Sequence, residues 1–355
     1  MTYVDQNRLH KVWGRMRTQS PFVQSSPKAF GDHRKGSDIY TRSWRLAAGE
    51  VPVVSGASMR GWLRRVLVGD MLERIGQPAQ SLPVRTVHLL MVGGALNPAK
   101  KNGDGGKEDV DEMSPAKLLQ AREVVPSFAL LGGTLWGGFA AGRLRAGFWV
   151  GQNSATPESA KHGMDPDAEL LKPEECFMTE RYAKHDELRG LFTLAELEKG
   201  FGVAEIPGIT AAGNAKAEDD EDRLGALYGY RAVVPDMPFA GWFALGHYMG
   251  LSDEADALQR SCLRHGLELA FPDGEEITFG LGAAAGYGDV VFEWENLDAM
   301  LPSGDLYRKY LEDHGQVVRD ALKALDTKAQ PTPPKSSKKA KGEPAEGDAH
   351  PGSDE

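Results

Sequence analysis

Three stretches of the chain repeat apolar residues at the spacing of an amphipathic helix. Ser58 precedes the first, which predicts a capped helix over residues 58–75, and Ser252 caps a second helix in the same way. A third helix is predicted over residues 306–325. The apolar stripe of the first helix consists of Met59, Leu63, Val66 and Met71.

Short runs rich in β-branched and aromatic residues lie around these helices and predict strands. The runs cover residues 11–18, 142–150, 228–234, 239–245 and 289–294. Helices inserted among strands without regular βαβα alternation favour an α+β fold with a mixed or antiparallel sheet.

Polar segments separate these elements. Residues 97–114 and 211–222 are predicted to be loops. Residues 327–355 contain no Val, Ile, Leu, Met, Phe, Trp or Tyr, so they cannot bury apolar surface and predict a disordered tail. Residues 1–326 are long enough for two domains or for one domain with large insertions.

The charge of the chain is unevenly distributed. The whole chain carries a net charge of −10, yet the first 75 residues hold thirteen Lys and Arg against six Asp and Glu. That segment is therefore at +7 and the remainder at −17. A basic groove on an acidic body is typical of nucleic-acid binding. Ordinary fluctuation of charge along a chain is the alternative.

Several classes of protein are not expected. The longest uncharged run, residues 124–142, contains Pro126 and five glycines, which argues against a membrane span. The first residues lack the apolar region of a secretory signal, so we expect a cytoplasmic protein. The two cysteines cannot build a disulfide framework. Because P-loop, HExxH and GxSxG motifs are missing from the sequence, we predict no metal, no cofactor and no catalytic nucleophile.

Residues 279–289, FGLGAAAGYGD, imitate the spacing of a dinucleotide-binding fingerprint. That fingerprint needs a following helix, whereas the residues that follow predict a strand. A glycine-rich hairpin close to the backbone of a ligand fits better, and tight packing is the alternative.

Residues 51–65, VPVVSGASMRGWLRR, join an apolar run to the start of a helix. Free amides around Ser58 and the helix dipole predict an anion site. Arg60 and Arg64 lie four residues apart on one helical face beside Arg65, and guanidinium groups bind phosphate oxygens in a bidentate manner. An ordinary solvated helix would have the same sequence.

Residues 177–189, FMTERYAKHDELR, form a basic and aromatic segment between two acidic loops. Arg181 and Tyr182 can contact phosphates and stack on bases. An exposed amphipathic helix explains the same segment equally well.

Five sequence windows in a fixed order carry a further similarity. They are MRTQSPFVQSS at 16–26, VPVVSGASMRG at 51–61, LLGGTLWGGFAAGRLRAGFWV at 130–150, VVPDMPFAGWFAL at 233–245 and FGLGAAAGYGDVVF at 279–292. Together they resemble the backbone subunit of multi-subunit CRISPR effector complexes, within the RAMP superfamily. The fourth window and the diverged turn of the second are most similar to the type IV backbone subunit.

The resemblance implies a ferredoxin-like, RRM-type palm with large inserted thumb and finger loops, the thumb lying at about residues 151–227. It implies a non-catalytic scaffold that binds guide RNA (crRNA) and oligomerises head to tail along it into a helical filament. Other CRISPR effector subunits and a target nucleic acid that pairs with the guide are the implied partners, and no membrane is involved.

The resemblance also implies a set of RNA-binding residues. They are Arg15, Arg17, Arg34, Lys35, Arg42 and Arg45 in the groove, Ser58, Arg60, Arg64 and Arg65 at the turn and helix, Arg181 and Tyr182 on the thumb, and Gly286 and Tyr287 in the glycine-rich loop. Ser55 and Ala57 depart from the proline and serine of the family's turn. Some related subunits cut target RNA with an aspartate upstream of this turn. An endoribonuclease acting through Asp38 is therefore the alternative, although RKGSDIYTRSW matches the catalytic loop poorly.

Overall fold

The computed structural model describes residues 11–24, 39–94, 115–135, 138–161, 170–183, 227–246, 251–280 and 288–325. The predicted loops over 97–114 and 211–222 and the predicted tail over 327–355 lie outside these residues. Of the predicted thumb, residues 151–161, 170–183 and 227 are among them.

Thirteen strands lie within the described residues. They are β1 (Lys11–Thr18), β2 (Ile39–Tyr40), β3 (Ser43–Leu46), β4 (Gly49–Val54), β5 (Gly132–Leu135), β6 (Gly138–Ala141), β7 (Leu144–Ala146), β8 (Trp149–Gly151), β9 (Phe177–Ala183), β10 (Leu227–Val233), β11 (Pro238–Leu245), β12 (Glu276–Thr278) and β13 (Asp289–Trp294). The strands predicted over 11–18 and 289–294 are confirmed with their bounds. Those predicted over 228–234 and 239–245 are confirmed to within one residue.

Seven α-helices lie within the same ranges. They are α1 (Gly56–Arg74), α2 (Val84–Val92), α3 (Pro115–Val124), α4 (Pro126–Leu131), α5 (Asp253–Ala270), α6 (Leu297–Met300) and α7 (Asp305–Ala324). The helices predicted after Ser252 and over 306–325 are confirmed. The prediction that Ser58 caps α1 was wrong, because Ser55 is the N-cap and its Oγ accepts the Ser58 N–H at 3.1 Å. None of the helices just named is both long enough and apolar enough to cross a bilayer.

Eight strands form the main sheet, in the order β12-β13-β1-β11-β8-β4-β3, with β7 also paired to β11. The strand pairs of this sheet are antiparallel. A smaller sheet has the order β2-β10-β9, and β5 and β6 form a separate pair. The fold is α+β with an antiparallel main sheet, as predicted.

The hydrophobic core lies between one face of the main sheet and the helices. Val12 and Met16 of β1 and Phe239 and Phe243 of β11 are buried there, in one cluster with Leu63 of α1 and side chains of α4, α5 and α7. Successive side chains of a strand point to opposite faces. The alternate residues of β1 and β11 therefore lie on the other side, which we call the outer face of the sheet.

The strand predicted over residues 142–150 is divided into β7 and β8. Ala146 of β7 pairs with Phe243, whereas Val150 of β8 pairs with Ala240. Between these two pairs, residues 147–149 on one strand oppose residues 241–242 on the other, which is a β-bulge. This one-residue shift interrupts the ladder and separates the two short strands.

Candidate nucleic-acid interface

The turn between β4 and α1 is fixed by a side-chain hydrogen bond and by close packing. Gln24 Oε1 accepts the Ser55 N–H at 3.2 Å. Gly56 lies so near β7 that a Cβ at this position would approach the Ala146 carbonyl oxygen to 2.1 Å. Only glycine fits at this distance, so the start of α1 has a defined position against the sheet.

The amides at the start of α1 are partly used within the protein. The Ser58 amide, predicted to be available to a phosphate, donates to Ser55 Oγ. Ala57 in the first turn is exposed and the Ser58 side chain is half-buried. An anion at this turn would meet the positive end of the helix dipole at Ala57 rather than a free amide at Ser58.

The five sequence windows that carry the family resemblance meet around this turn. Phe22 stacks on Phe279 with 5.9 Å between ring centroids and exchanges backbone hydrogen bonds of 2.9 and 2.7 Å with Val233. The hydrogen bond between Gln24 and Ser55 and the packing of Gly56 against Ala146 connect the remaining windows. Residues far apart in the sequence therefore build one region, which we call the α1 turn region. The windows joined in this way are 16–26, 51–61, 130–150, 233–245 and 279–292.

Arg64 does not reach the surface of this region. Its side chain is buried, and its guanidinium donates to the Leu90 carbonyl at 3.3 Å and to the Leu131 carbonyl at 2.7 Å. Burial lowers the pKa of Arg64 to about 10, with a smaller contribution from the charge of Arg60. Arg64 is therefore used inside the protein, where it connects α1 to α2 and α4, and is not placed for the predicted phosphate contact.

Arg60 and Arg65 remain on the outside of α1. Arg60 is half-buried and Arg65 is exposed, with its guanidinium 5.6 Å from the centroid of the Trp62 ring. The Trp62 indole donates to the Ala270 carbonyl at 2.9 Å and packs edge-on against Phe279. Arg65 therefore lies next to the point where the glycine-rich segment begins.

Arg42 and Arg45 lie on the chain that leads into β4. The Arg42 amide donates to the Gln24 carbonyl at 3.1 Å, which places Arg42 beside the α1 turn. Arg45 is exposed on β3, opposite Glu50 in the ladder. Glu50 makes two hydrogen bonds of 2.8 Å with Arg231 of β10, and these chiefly hold the pKa of Glu50 below its ordinary value.

Comparison with known proteins finds a likeness among solved structures. No family model matches this chain, and no curated protein matches it either. The chain is similar to a chain of a solved Type IV-B CRISPR complex, with 16% sequence identity and a TM-score of 0.45. The alignment covers 80% of this chain and 90% of that chain.

Arg15 and Arg17 occupy the outer face of the sheet, on the opposite side from α1. Both are exposed, and the Arg15 guanidinium forms an ion pair of 3.2 Å with Glu295. Arg15 and Arg17 are thus separated by the sheet from the predicted residues around the α1 turn.

Arg181 and Tyr182 belong to strand β9. They pair with Gly229 and Tyr228 of β10 in an antiparallel register. The interpretation of this segment as an exposed amphipathic helix was wrong for residues 177–183, because they form a ladder with β10.

Several predicted residues lie outside the described part of the chain. They are Arg34, Lys35, Asp38, Gly286 and Tyr287. Within the described ranges, no three His, Cys, Asp or Glu side chains come together in a way that would hold a metal ion.

Three residues on the outer face were missed by the sequence analysis. Lys11 lies with its ammonium group 5.1 Å from the centroid of the Trp13 ring and 4.6 Å from that of Trp242. The signal was present in β1, KVWGRMRT, in which every second residue from Lys11 to Arg17 is basic or aromatic. Such an alternation indicates a strand with one buried face and one face that carries basic and aromatic side chains.

Proposed function

We propose that this chain is a non-catalytic, guide-RNA-binding scaffold, the backbone subunit of a type IV-like CRISPR effector complex. The observation that supports this most directly is the meeting of the five windows at the α1 turn. The sequence resemblance depends on those windows, and a shared site gives a physical reason for them to occur together.

The order of the central elements supports a ferredoxin-like palm. Along the chain β1, α1, β8, β11, α5 and β13 follow a β-α-β-β-α-β order, and in the sheet the four strands stand as β13-β1-β11-β8. The remaining strands and helices are insertions into this order. An RRM-type palm is an architecture used for RNA recognition.

The α1 turn region is the proposed phosphate site. Arg60, Arg65 and Arg42 supply positive charge there, and the exposed Ala57 marks the positive end of the helix dipole. Ser58 remains a candidate ligand through its half-buried hydroxyl. Arg64 contributes by fixing α1 and not by contacting RNA.

The proposed scaffold has no catalytic residue. Its partners are the guide RNA, further copies of the same chain in a head-to-tail filament, other effector subunits, and a target nucleic acid recognised by pairing with the guide. Cleavage through Asp38 is the alternative function, and it rests on a residue outside the described part of the chain.

Charge reversal at the α1 turn tests the proposal. The double variant Arg60→Glu, Arg65→Glu should bind single-stranded RNA of any sequence more weakly than the unchanged protein. Each lost phosphate contact flattens the dependence of log affinity on log salt by about 0.7, so the slope should fall by about 1.4. Fluorescence anisotropy at several salt concentrations measures both quantities.

The control is a double reversal of the same charge on exposed positions of α7, Lys309→Glu with Lys323→Glu. It should change the slope much less, because α7 carries no part of the proposed site. An unchanged slope in the Arg60 and Arg65 variant would remove the α1 turn as the phosphate site. An equal loss in both variants would point to net charge alone.

A further inference from the structure

The outer face of the main sheet combines aromatic rings with cations. Lys11, Trp13, Arg15 and Arg17 alternate along β1 with the buried residues of the core. Trp242 of β11 stands directly opposite Trp13 in the antiparallel ladder. The outer face at this point therefore presents two indole rings on neighbouring strands.

The Lys11 side chain joins the two indoles. Its ammonium group lies 4.6 Å from the centroid of the Trp242 ring and 5.1 Å from that of Trp13. Both distances are within the range of a cation–π interaction. Lys11 thus orients the rings and brings a positive charge to the same place.

The β-bulge extends this aromatic surface. A Cβ at Gly147 would lie 2.5 Å from the Trp242 indole, so the bulge leaves room for that ring. The next residue, Phe148, is 43% exposed and packs edge-on against Trp44 with 5.4 Å between ring centroids. The aromatic side chains thus continue from β1 across β11 to the bulge and β3.

The basic side chains on this face differ in how close they lie to acidic side chains. Arg17 of β1 and Arg145 of β7 are exposed, and neither is within ion-pair distance of an acidic side chain among the described residues. Arg15 faces the acidic side, where it meets Glu295 at 3.2 Å and pairs with Glu293 across the ladder. Lys11 and Arg145 flank Ala244 at one end of the ladder, whereas Arg17 lies opposite Pro238 at its other end.

We propose that the outer face binds the unpaired bases of a single-stranded nucleic acid. Trp242 and Phe148 would stack on the bases, with Trp13 beside them, and Lys11, Arg17 and Arg145 would hold the phosphates. Every base has a flat face that can stack on an aromatic ring, so this kind of recognition shows little sequence preference. It requires single strands, because the bases must be unpaired. The site lies across the sheet from the α1 turn region and is a second contact, independent of that region.

The first test uses the full-length protein and a labelled oligouridine of about 12 nucleotides, within the usual range for such modules. Trp242→Ala and Phe148→Ala should each weaken binding by about five- to 100-fold, the loss expected for one stacked base. The salt slope should stay unchanged, because neither substitution removes a charge. Trp242→Phe keeps an aromatic ring and should restore most of the affinity.

Leu269→Ala provides the matched control, because Leu269 of α5 is 42% exposed and lies away from the outer face. It should leave the affinity unchanged. An RNA duplex should bind less well than the single strand, since its bases are already stacked. Oligothymidine in place of oligouridine distinguishes the source, because equal binding shows that unpaired bases suffice and weaker binding shows that RNA is preferred.

Photocrosslinking guards against a variant that fails to fold. RNA carrying 5-iodouridine should crosslink to Trp242, Trp13 or Phe148 in the unchanged protein. Affinities that survive in Trp242→Ala and Phe148→Ala, with crosslinks only in the α1 turn region, would overturn this second site. The scaffold proposal would then stand or fall by Arg60 and Arg65 alone, so the two failures are distinguishable.

Discussion

Arg60 and Arg64 show how different two arginines one helical turn apart can be. Arg64 borders the buried stripe of α1, and its side chain reaches carbonyl groups in the last turns of two other helices, at Leu90 of α2 and Leu131 of α4. Such carbonyls have no partner within their own helix and carry the negative end of the dipole. A buried cation is tolerated at this position because its guanidinium donates a hydrogen bond to each of these two carbonyl groups.

Replacing Arg64 tests this structural role. Arg64→Met keeps much of the side-chain volume but leaves the Leu90 and Leu131 carbonyls without their donor, so it should lower the free energy of unfolding by about 3 kcal/mol. The RNA affinity of the folded variant should be unchanged. Urea denaturation and anisotropy measure the two properties separately.

Arg60→Met is the control, since Arg60 is only half-buried, and it should affect stability little and RNA binding more. A stable Arg64→Met protein that has lost RNA binding would return Arg64 to the phosphate site.

At the scale of elements, an ion pair helps to attach the smaller sheet to the main sheet. Arg231 of β10 binds both carboxylate oxygens of Glu50 of β4, and its guanidinium lies 3.9 Å from the centroid of the Phe177 ring. The backbone contact between Phe22 and Val233 supports the same junction. The position of β9, and of the predicted thumb residues on it, depends on this attachment.

This pair should make the attachment sensitive to acid. Hydrogen bonds from Arg231 hold the pKa of Glu50 below its ordinary value of 4.5, against the opposing effect of burial. A carboxylate with a lowered pKa in the folded state stabilises it above the ordinary value, and this stabilisation is lost as the pH falls through the lowered pKa. Protection of β10 amides from hydrogen exchange should therefore decrease in that range.

Glu50→Gln should show weaker protection of β10 already at neutral pH and should remove this part of the acid dependence. Helix α7, remote from the pair, serves as the internal reference within the same experiment. Protection that falls equally in α7 and β10 would indicate global unfolding and contradict a local attachment.

Local patterns were sufficient for elements whose bounds depend on their own residues. The alternation in β1 and β13 and the Ser252 cap of α5 are of this kind. Long-range packing decides the remainder. β7 and β8 are divided at the bulge where the Trp242 ring packs on Gly147, and α1 begins after Ser55 where Gly56 fits against Ala146.

The candidate site follows the same division. The windows around the α1 turn were identified from sequence, because residue types and order carry them. The burial of Arg64 depends on the ends of two other helices, and the aromatic outer face depends on which side chains meet across strands. Periodicity along one helix or strand contains no information about such partners.

At the scale of the whole molecule, an acidic body carries the proposed basic sites. Residues 1–75 have a net charge of +7 and the remainder −17. Like charges on neighbouring acidic bodies repel each other, and bound RNA would supply the counter-charge for the basic surfaces. Assembly should consequently depend on RNA.

Native mass spectrometry on guide RNAs of graded length tests this expectation. In a head-to-tail arrangement each copy covers a fixed length of RNA, so the copy number should rise in steps with RNA length. RNase treatment should reverse the assembly. A closed dimer of constant size, indifferent to RNA, would contradict the filament.

The central position of β1 has a consequence for biosynthesis. β1 pairs with β11 and β13, and Thr18 at its end is hydrogen-bonded to Met237, 219 residues later in the sequence. A ribosome adding about 5–20 residues per second needs roughly 10–40 s to cover that distance. During this interval the apolar side of β1 has no sheet partner on the growing polypeptide. The palm can therefore close only after β11 and β13 have been synthesised, and a chaperone that shields this strand would raise the yield of folded protein.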